Sequence, residues 1–181
     1  MSSDGETDFF CDGMTEEIIN ALAQIPELRV TSRTSAFYFK GKNIPITEIG
    51  RQLGVSTVLE GSVRLAGKKM RITAQLIQAD EDFHFWSATW DRQMENLFEV
   101  QDELSLEIAE KLREHFGHFE IQEHLVSPQT DSLDAYTLFL KGRYYFNKWN
   151  PEDIKTAMQF YQQALELDPQ HPNSLVGLAD R

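Results

Sequence analysis

The sequence predicts an α/β protein of the α+β kind: a mixed sheet of about four strands with flanking helices, followed by an all-α segment. Three patterns carry that expectation. Apolar residues recur at spacings of 3 and 4 in the segments that open and close the first two thirds of the chain. Segments alternating apolar with polar lie between them. Beyond Ser132 only helical periodicity remains. With 181 residues, 41% hydrophobic and 25% charged, the chain is long and apolar enough to bury a core.

The first helix is expected over Met14–Ile25, where Met14, Ile18, Ile19, Leu22 and Ile25 draw one apolar stripe. Asp12-Gly13 reads as its cap and Glu16-Glu17 as first-turn acids that favour the dipole; Pro26 ends it. Leu28 to Ser32 alternates and reads as a short strand, ahead of the aromatic run Phe37-Tyr38-Phe39. A short helix over Pro45–Leu53 stops at Gly54, a residue suited to a left-handed cap. Thr57–Ala66, Gly67-Lys68 and Lys69–Ala79 form a hairpin signal, the second strand alternating Met70, Ile72, Ala74 and Leu76 with Arg71, Thr73 and Gln75. Asp80-Glu81-Asp82 is the next turn. Phe83–Arg92 is a strand with His84, Trp86, Ala88 and Trp90 on one face. A long helix follows from about Glu95 to Phe116, its stripe Leu97, Val100, Leu104, Ile108, Leu112 and Phe116.

The pattern breaks over residues 118–132, where Ser127 to Ser132 has linker composition. The organisation expected is therefore an α/β domain over 1–117, a linker over 118–132 and a helical segment over 133–181. Few apolar residues in the linker tie the two parts together. One helix covers Ala135–Phe146. Asn150-Pro151-Glu152-Asp153 starts another, with a cap, a proline at the first position and two acids. A third begins near Pro172 without room to finish, so the sequence reads as a fragment of a longer chain.

Lys plus Arg number 17 against 29 Asp plus Glu, a formal net charge of −12. A surface this acidic repels phosphate, which argues against direct contact with nucleic acid or anionic lipid. Cys11 stands alone, so no internal disulfide forms. No window approaches the roughly 20 apolar residues of a membrane span. The polar start, Met1 to Glu6, is no signal peptide, and a cytoplasmic location is expected, with a periplasmic one left open should a span lie elsewhere.

Gly142 and Tyr145, then Ala157, Tyr161, Ala164 and Pro169, with Leu175, Leu178 and Ala179 restarting the pattern, resemble a tetratricopeptide repeat. The turn Asn147 to Pro151 is longer than the repeat's usual one. The resemblance implies one helix pair and the start of the next, with small residues allowing close helix approach and tyrosines filling the gaps. Phe9 to Ile18, Val30 to Ser35, Leu53-Gly54-Val55, Leu59 to Arg64, Trp86-Ser87 and Asp91-Arg92 resemble the TolB amino-terminal-like domain. That likeness implies a first strand lying before Met1, hence an open sheet edge that a homodimer partner or an added strand would fill. Phe116 to Gln122, Phe139 to Tyr145 and Lys148-Trp149 are similar to a subgroup found in AraC-type transcription regulators; other relatives carry a nucleotide cyclase domain.

Each candidate chemistry has a plainer explanation beside it. His115, His118, Glu120 and His124 have metal-ligand types, yet read better as a polar helix end. Cys11 beside Asp12 suggests a thiol near a helix N-terminus, against a small apolar side chain beside Phe9 and Phe10. Asp80-Glu81-Asp82 lacks the spacing of a calcium loop, and Glu16 and Glu17 point about 100° apart on a helix. His84, Trp86 and Trp90 suggest a stacking platform, or simply the core under a helix. No phosphate loop, zinc-protease motif or serine elbow is present. No catalytic residue, metal or cofactor is therefore expected.

The resemblances together imply a non-enzymatic sensing or protein-interaction module of a bacterial transcription regulator. The alternatives are the regulatory segment of a nucleotide cyclase or a periplasmic TolB-like envelope assembly factor. A protein or peptide partner is expected on the repeat helices. Arg143, Tyr144, Lys148 and Trp149 are its candidate contacts, because a cation and an aromatic near a helix end serve as binding anchors.

Overall fold

The structure is a computed structural model that describes residues 3–117 and 119–179, with side chains from residue 7 onward. Helix α1 covers Ser3–Ala23, α2 Arg33–Phe37 and α3 Ile46–Leu53. Strands β1 (Thr57–Ala66), β2 (Lys69–Gln78) and β3 (Phe83–Gln93) follow, then a single 3-10 turn, Met94–Asn96, that leads into α4 (Leu97–Phe116). Helices α5 (Leu133–Phe146), α6 (Pro151–Leu167) and α7 (Pro172–Ala179) complete the chain.

Two compact units result, and they do not follow chain order. One comprises residues 16–126, the other residues 1–15 together with 127–181. Helix α1 runs through the boundary, with its residues up to Thr15 in one and those from Glu16 onward in the other.

In the unit of residues 16–126 the sheet has three strands, all antiparallel, in the order β1-β2-β3. The expected mixed sheet of about four strands is corrected on both counts. The missing strand is Leu28–Ser32, which lies in irregular backbone and pairs with no described strand. Its end is committed elsewhere: the Ser32 hydroxyl accepts the backbone N–H of Ser35 and so caps α2. Alternation alone does not make a strand without a neighbour to pair with.

The β1–β2 turn places Gly67 at φ 61°, the left-handed conformation that suits a tight hairpin. Met70, Ile72, Ala74 and Leu76 are buried, as their alternation requires, while Arg71 and Asp91 pair at 2.7 Å on the solvated face. Between β2 and β3 the register shifts: Leu76 faces Trp86 but Ile77 faces His84, which leaves Phe85 unpaired as a β-bulge. The expected shared face of His84, Trp86 and Trp90 is thereby broken. His84 is exposed, Trp86 and Trp90 remain neighbours at 5.9 Å, and Phe85 stacks on His115 at 4.1 Å.

Helix α4 buries Leu97, Val100, Leu104, Ile108 and Leu112, the stripe read from sequence, and packs against β3. Phe116 is the exception, at 48% exposed. From α4, Asp102 reaches the returning strap of residues 119–126. Its carboxylate accepts the backbone N–H groups of Leu125 and Val126 at 2.8 and 2.9 Å and the His124 ring N–H at 2.7 Å. Phe119 and Leu125 are buried, and Gln24 donates to the Leu125 carbonyl at 3.1 Å.

The other unit is helical. Helix α1 begins well before Met14, so Asp12-Gly13 is helix interior and not a cap. Gly13 is small for a packing reason: a Cβ there would lie 2.6 Å from Leu140 Cδ2. Tyr161 of α6, 1% exposed, lies between two glycines. A Cβ on Gly142 of α5 would meet its ring at 2.4 Å, and one on Gly177 of α7 at 2.6 Å. This is the small-and-large complementarity that lets three helices close around one aromatic ring. His171, fully buried, starts α7. Its carbonyl accepts the Leu175 N–H at 3.2 Å, while its ring Nδ1 accepts the Ser174 backbone N–H at 3.2 Å and faces Ser174 Oγ at 2.8 Å.

Candidate functional site

The α5–α6 turn holds the side chains expected to meet a partner. Ser132 caps α5 by accepting the Ala135 N–H at 3.2 Å, and Asn150 caps α6 by accepting the Asp153 N–H at 2.9 Å, with Pro151 at the first helical position. Between Phe146, where α5 ends, and Asn150 the chain has only Asn147 to Trp149 with which to reverse. Backbone bonds from Lys148 N–H to the Tyr145 carbonyl (3.1 Å) and from Trp149 N–H to the Phe146 carbonyl (3.2 Å) continue the winding to the last residue.

That tight reversal puts Trp149 at φ 55°, a left-handed conformation that costs a bulky residue about 1–3 kcal/mol. Little burial offsets it. Trp149 is 75% exposed, more than any other large hydrophobic side chain among the described residues, and its ring meets Phe146 at 5.5 Å. Lys148 bends back over two rings, with its ammonium 4.5 Å from the Tyr144 ring and 4.7 Å from that of Tyr145. Tyr144 and Tyr145 meet edge to face at 5.5 Å, and Tyr145 stacks on Phe160 of α6 at 5.6 Å.

Of the four residues named from sequence, the structure brings Tyr144 and Lys148 into direct contact and sets Trp149 next to them on Phe146. Arg143 lies half-buried on the last turn of α5, where a cation complements the negative end of the dipole. Tyr145, Phe146 and Phe160 were not among the four. Tyr145 read as a packing residue, which its stack on Phe160 fits; that partner depends on the α5–α6 register, which local periodicity does not encode. This turn presents aromatic faces and the Lys148 ammonium, ahead of the first-turn acids Glu152 and Asp153 of α6.

The remaining candidates disperse. His115 donates from Nε2 to Gln78 at 3.1 Å and lies on Phe85, while His124 is committed to Asp102. Glu120 is exposed, and His118 lies outside the described residues. Among the described residues no group of three His, Cys, Asp or Glu side chains is placed to hold a metal ion. Cys11 is in the middle of α1, away from the helix end that would acidify it. Glu16 pairs with Arg33 at 3.1 Å, and burial pushes the neighbouring Glu17 carboxyl up from its ordinary value. Asp80 accepts from Gln78 at 2.9 Å, and Asp82 completes the turn at φ 51°. Among the described residues no helix is long and apolar enough to cross a membrane.

No family model matches the chain. It is 37% identical over 169 residues, 93% of its length, to a Rhizobium meliloti protein named Putative adenylate cyclase 3. The chain spans 29% of that relative's length, so the likeness concerns one part of a much longer protein.

Proposed function

We propose that this chain is a non-catalytic, protein-binding regulatory segment of a larger signalling protein whose output is made by a nucleotide cyclase. The observation that carries this reading is the asymmetry of the likeness: nearly all of this chain aligns with under a third of the cyclase-named relative. A matching segment that leaves so much of the relative outside it suits an accessory role. The α5–α6 turn supplies the docking chemistry, with Trp149 as the anchor and Tyr144 and Lys148 beside it. The tetratricopeptide likeness agrees with a protein or peptide partner on these helices.

The test exchanges the matching segment of the Rhizobium meliloti protein for this chain. The chimera is expected to make cyclic AMP from ATP under regulation, and the isolated chain to make none. Turnover by the isolated chain would overturn the non-catalytic reading. A chimera that controls transcription without any cyclic nucleotide would favour the transcription-regulator host over the cyclase.

A further inference from the structure

The segment between Leu28 and Thr47 holds four of the chain's 17 cations, Arg29, Arg33, Lys40 and Lys42, and none of its 29 acids. It also holds three consecutive aromatic residues, Phe37, Tyr38 and Phe39. Helix α2 lies inside it and buries none of its five residues. A helix this short does not persist on its own propensity, and here burial adds little. Polar ties hold it instead: the Ser32 cap, the Arg33–Glu16 pair at 3.1 Å and the Arg33 guanidinium 4.1 Å over the Phe37 ring. Beyond it, successive turns carry Lys40 and Lys42 outward, with Gly41 at φ 70° between them. Tyr38 is 60% exposed, and the Lys42 ammonium lies 3.1 Å from the centre of its ring.

We propose that the Arg29–Lys42 segment is a docking surface for an acidic polypeptide, with Tyr38 as its apolar contact. Charge complementarity selects the occupant. The exposed Arg29, Lys40 and Lys42, with Arg33 already paired to Glu16, and the exposed Tyr38 attract a carboxylate-bearing surface that also offers an apolar side chain. A long polyanion such as duplex DNA would run past this short patch onto a chain that is otherwise strongly acidic, and would be repelled there. A compact acidic surface on a folded partner stays within the patch. This surface is independent of the cyclase reading and of the α5–α6 turn.

The test measures binding of a short fluorescent peptide built of Glu and Leu to the full chain, by anisotropy, at rising salt. The expected result is binding that weakens with salt. The K40E/K42E double variant should bind about tenfold more weakly or worse, and Tyr38→Ala should weaken binding without altering its salt dependence. The K68E/K69E variant makes the same charge change where the β1–β2 turn enters β2 and should bind like the parent. All these positions are exposed, so unchanged thermal melts will establish that each variant is folded. Equal loss in both double variants would reduce the effect to net charge and overturn the proposal. Absence of peptide binding, or tighter binding to duplex DNA or anionic vesicles, would overturn it as well.

Discussion

The ring of Tyr161 occupies the space that a side chain on Gly142 would need, with only 2.4 Å between Cε1 and a Cβ built at that glycine. Gly177 guards the opposite side of the same ring. Gly142→Ala is therefore expected to destabilise the helical unit by about 1–3 kcal/mol, because the ring is 1% exposed and has no free direction in which to retreat. Urea unfolding followed by circular dichroism checks this. A variant as stable as the parent would show that the ring adjusts freely.

Trp149 predicts the reverse. Trp149→Gly removes a strained φ and loses little buried surface, so its denaturation midpoint should rise, by about 1 kcal/mol in stability. Regulated output of the cyclase chimera should fall at the same time. A loss of stability would make Trp149 a structural residue.

His171 carries a pH dependence. Burial lowers its pKa from the ordinary 6.5, with the nearby Asp168 carboxylate opposing that shift in part. A group depressed in the folded state contributes stability that is complete above its unfolded value and is lost as pH falls. The helical unit should therefore melt at lower temperature once pH drops below about 6.5, since a protonated Nδ1 no longer accepts the Ser174 N–H. His171→Asn keeps a capping acceptor but has no proton to gain, so its melting temperature should be flat over that range.

The strap has the opposite sign. Asp102 raises the His124 pKa, chiefly through their hydrogen bond, so this pair contributes fully below 6.5 and is lost as pH rises through the folded-state value. Hydrogen exchange at Leu125 and Val126 should quicken modestly across that rise. Asp102→Ala should quicken it at every pH, because both amides lose their acceptor, at about 1–3 kcal/mol for each group left unsatisfied.

Truncation separates chain order from packing. A chain ending at Ser132 keeps residues 1–15, whose Phe9, Phe10 and Met14 belong with the helices that were removed. It is expected to fold over residues 16–126 yet aggregate. Residues 16–132 alone should remain monomeric in light scattering.

Where a residue's role is set by near neighbours in the chain, the sequence was legible. The helical period of α4, the Gly54 cap at φ 66°, the Gly67 turn of the β1–β2 hairpin and the Asn150-Pro151 helix start all depend on residues close together in the chain. Leu28–Ser32 misled because alternation states what a strand requires and not whether a neighbour is there. Gly13 misled because a glycine in the cap before a helix and one inside a helix that admits another helix look alike until Leu140 is in place. At the turn, Lys148 and Trp149 were readable as a cation and an aromatic near a helix end. The stack of Tyr145 on Phe160 was not, since it joins positions on two different helices.

Strand β3 has eleven residues where β2 has ten, and Phe85 is the surplus one. Deleting it would leave Ile77 facing His84 and Leu76 facing Trp86 in an unbroken ladder, with His84 still outward and Trp90 still inward. What would go is the stack of Phe85 on His115, the contact that the extra residue makes with the last turn of α4. A codon lost at this point would thus cost the helix an anchor while every other side chain of the strand kept its face.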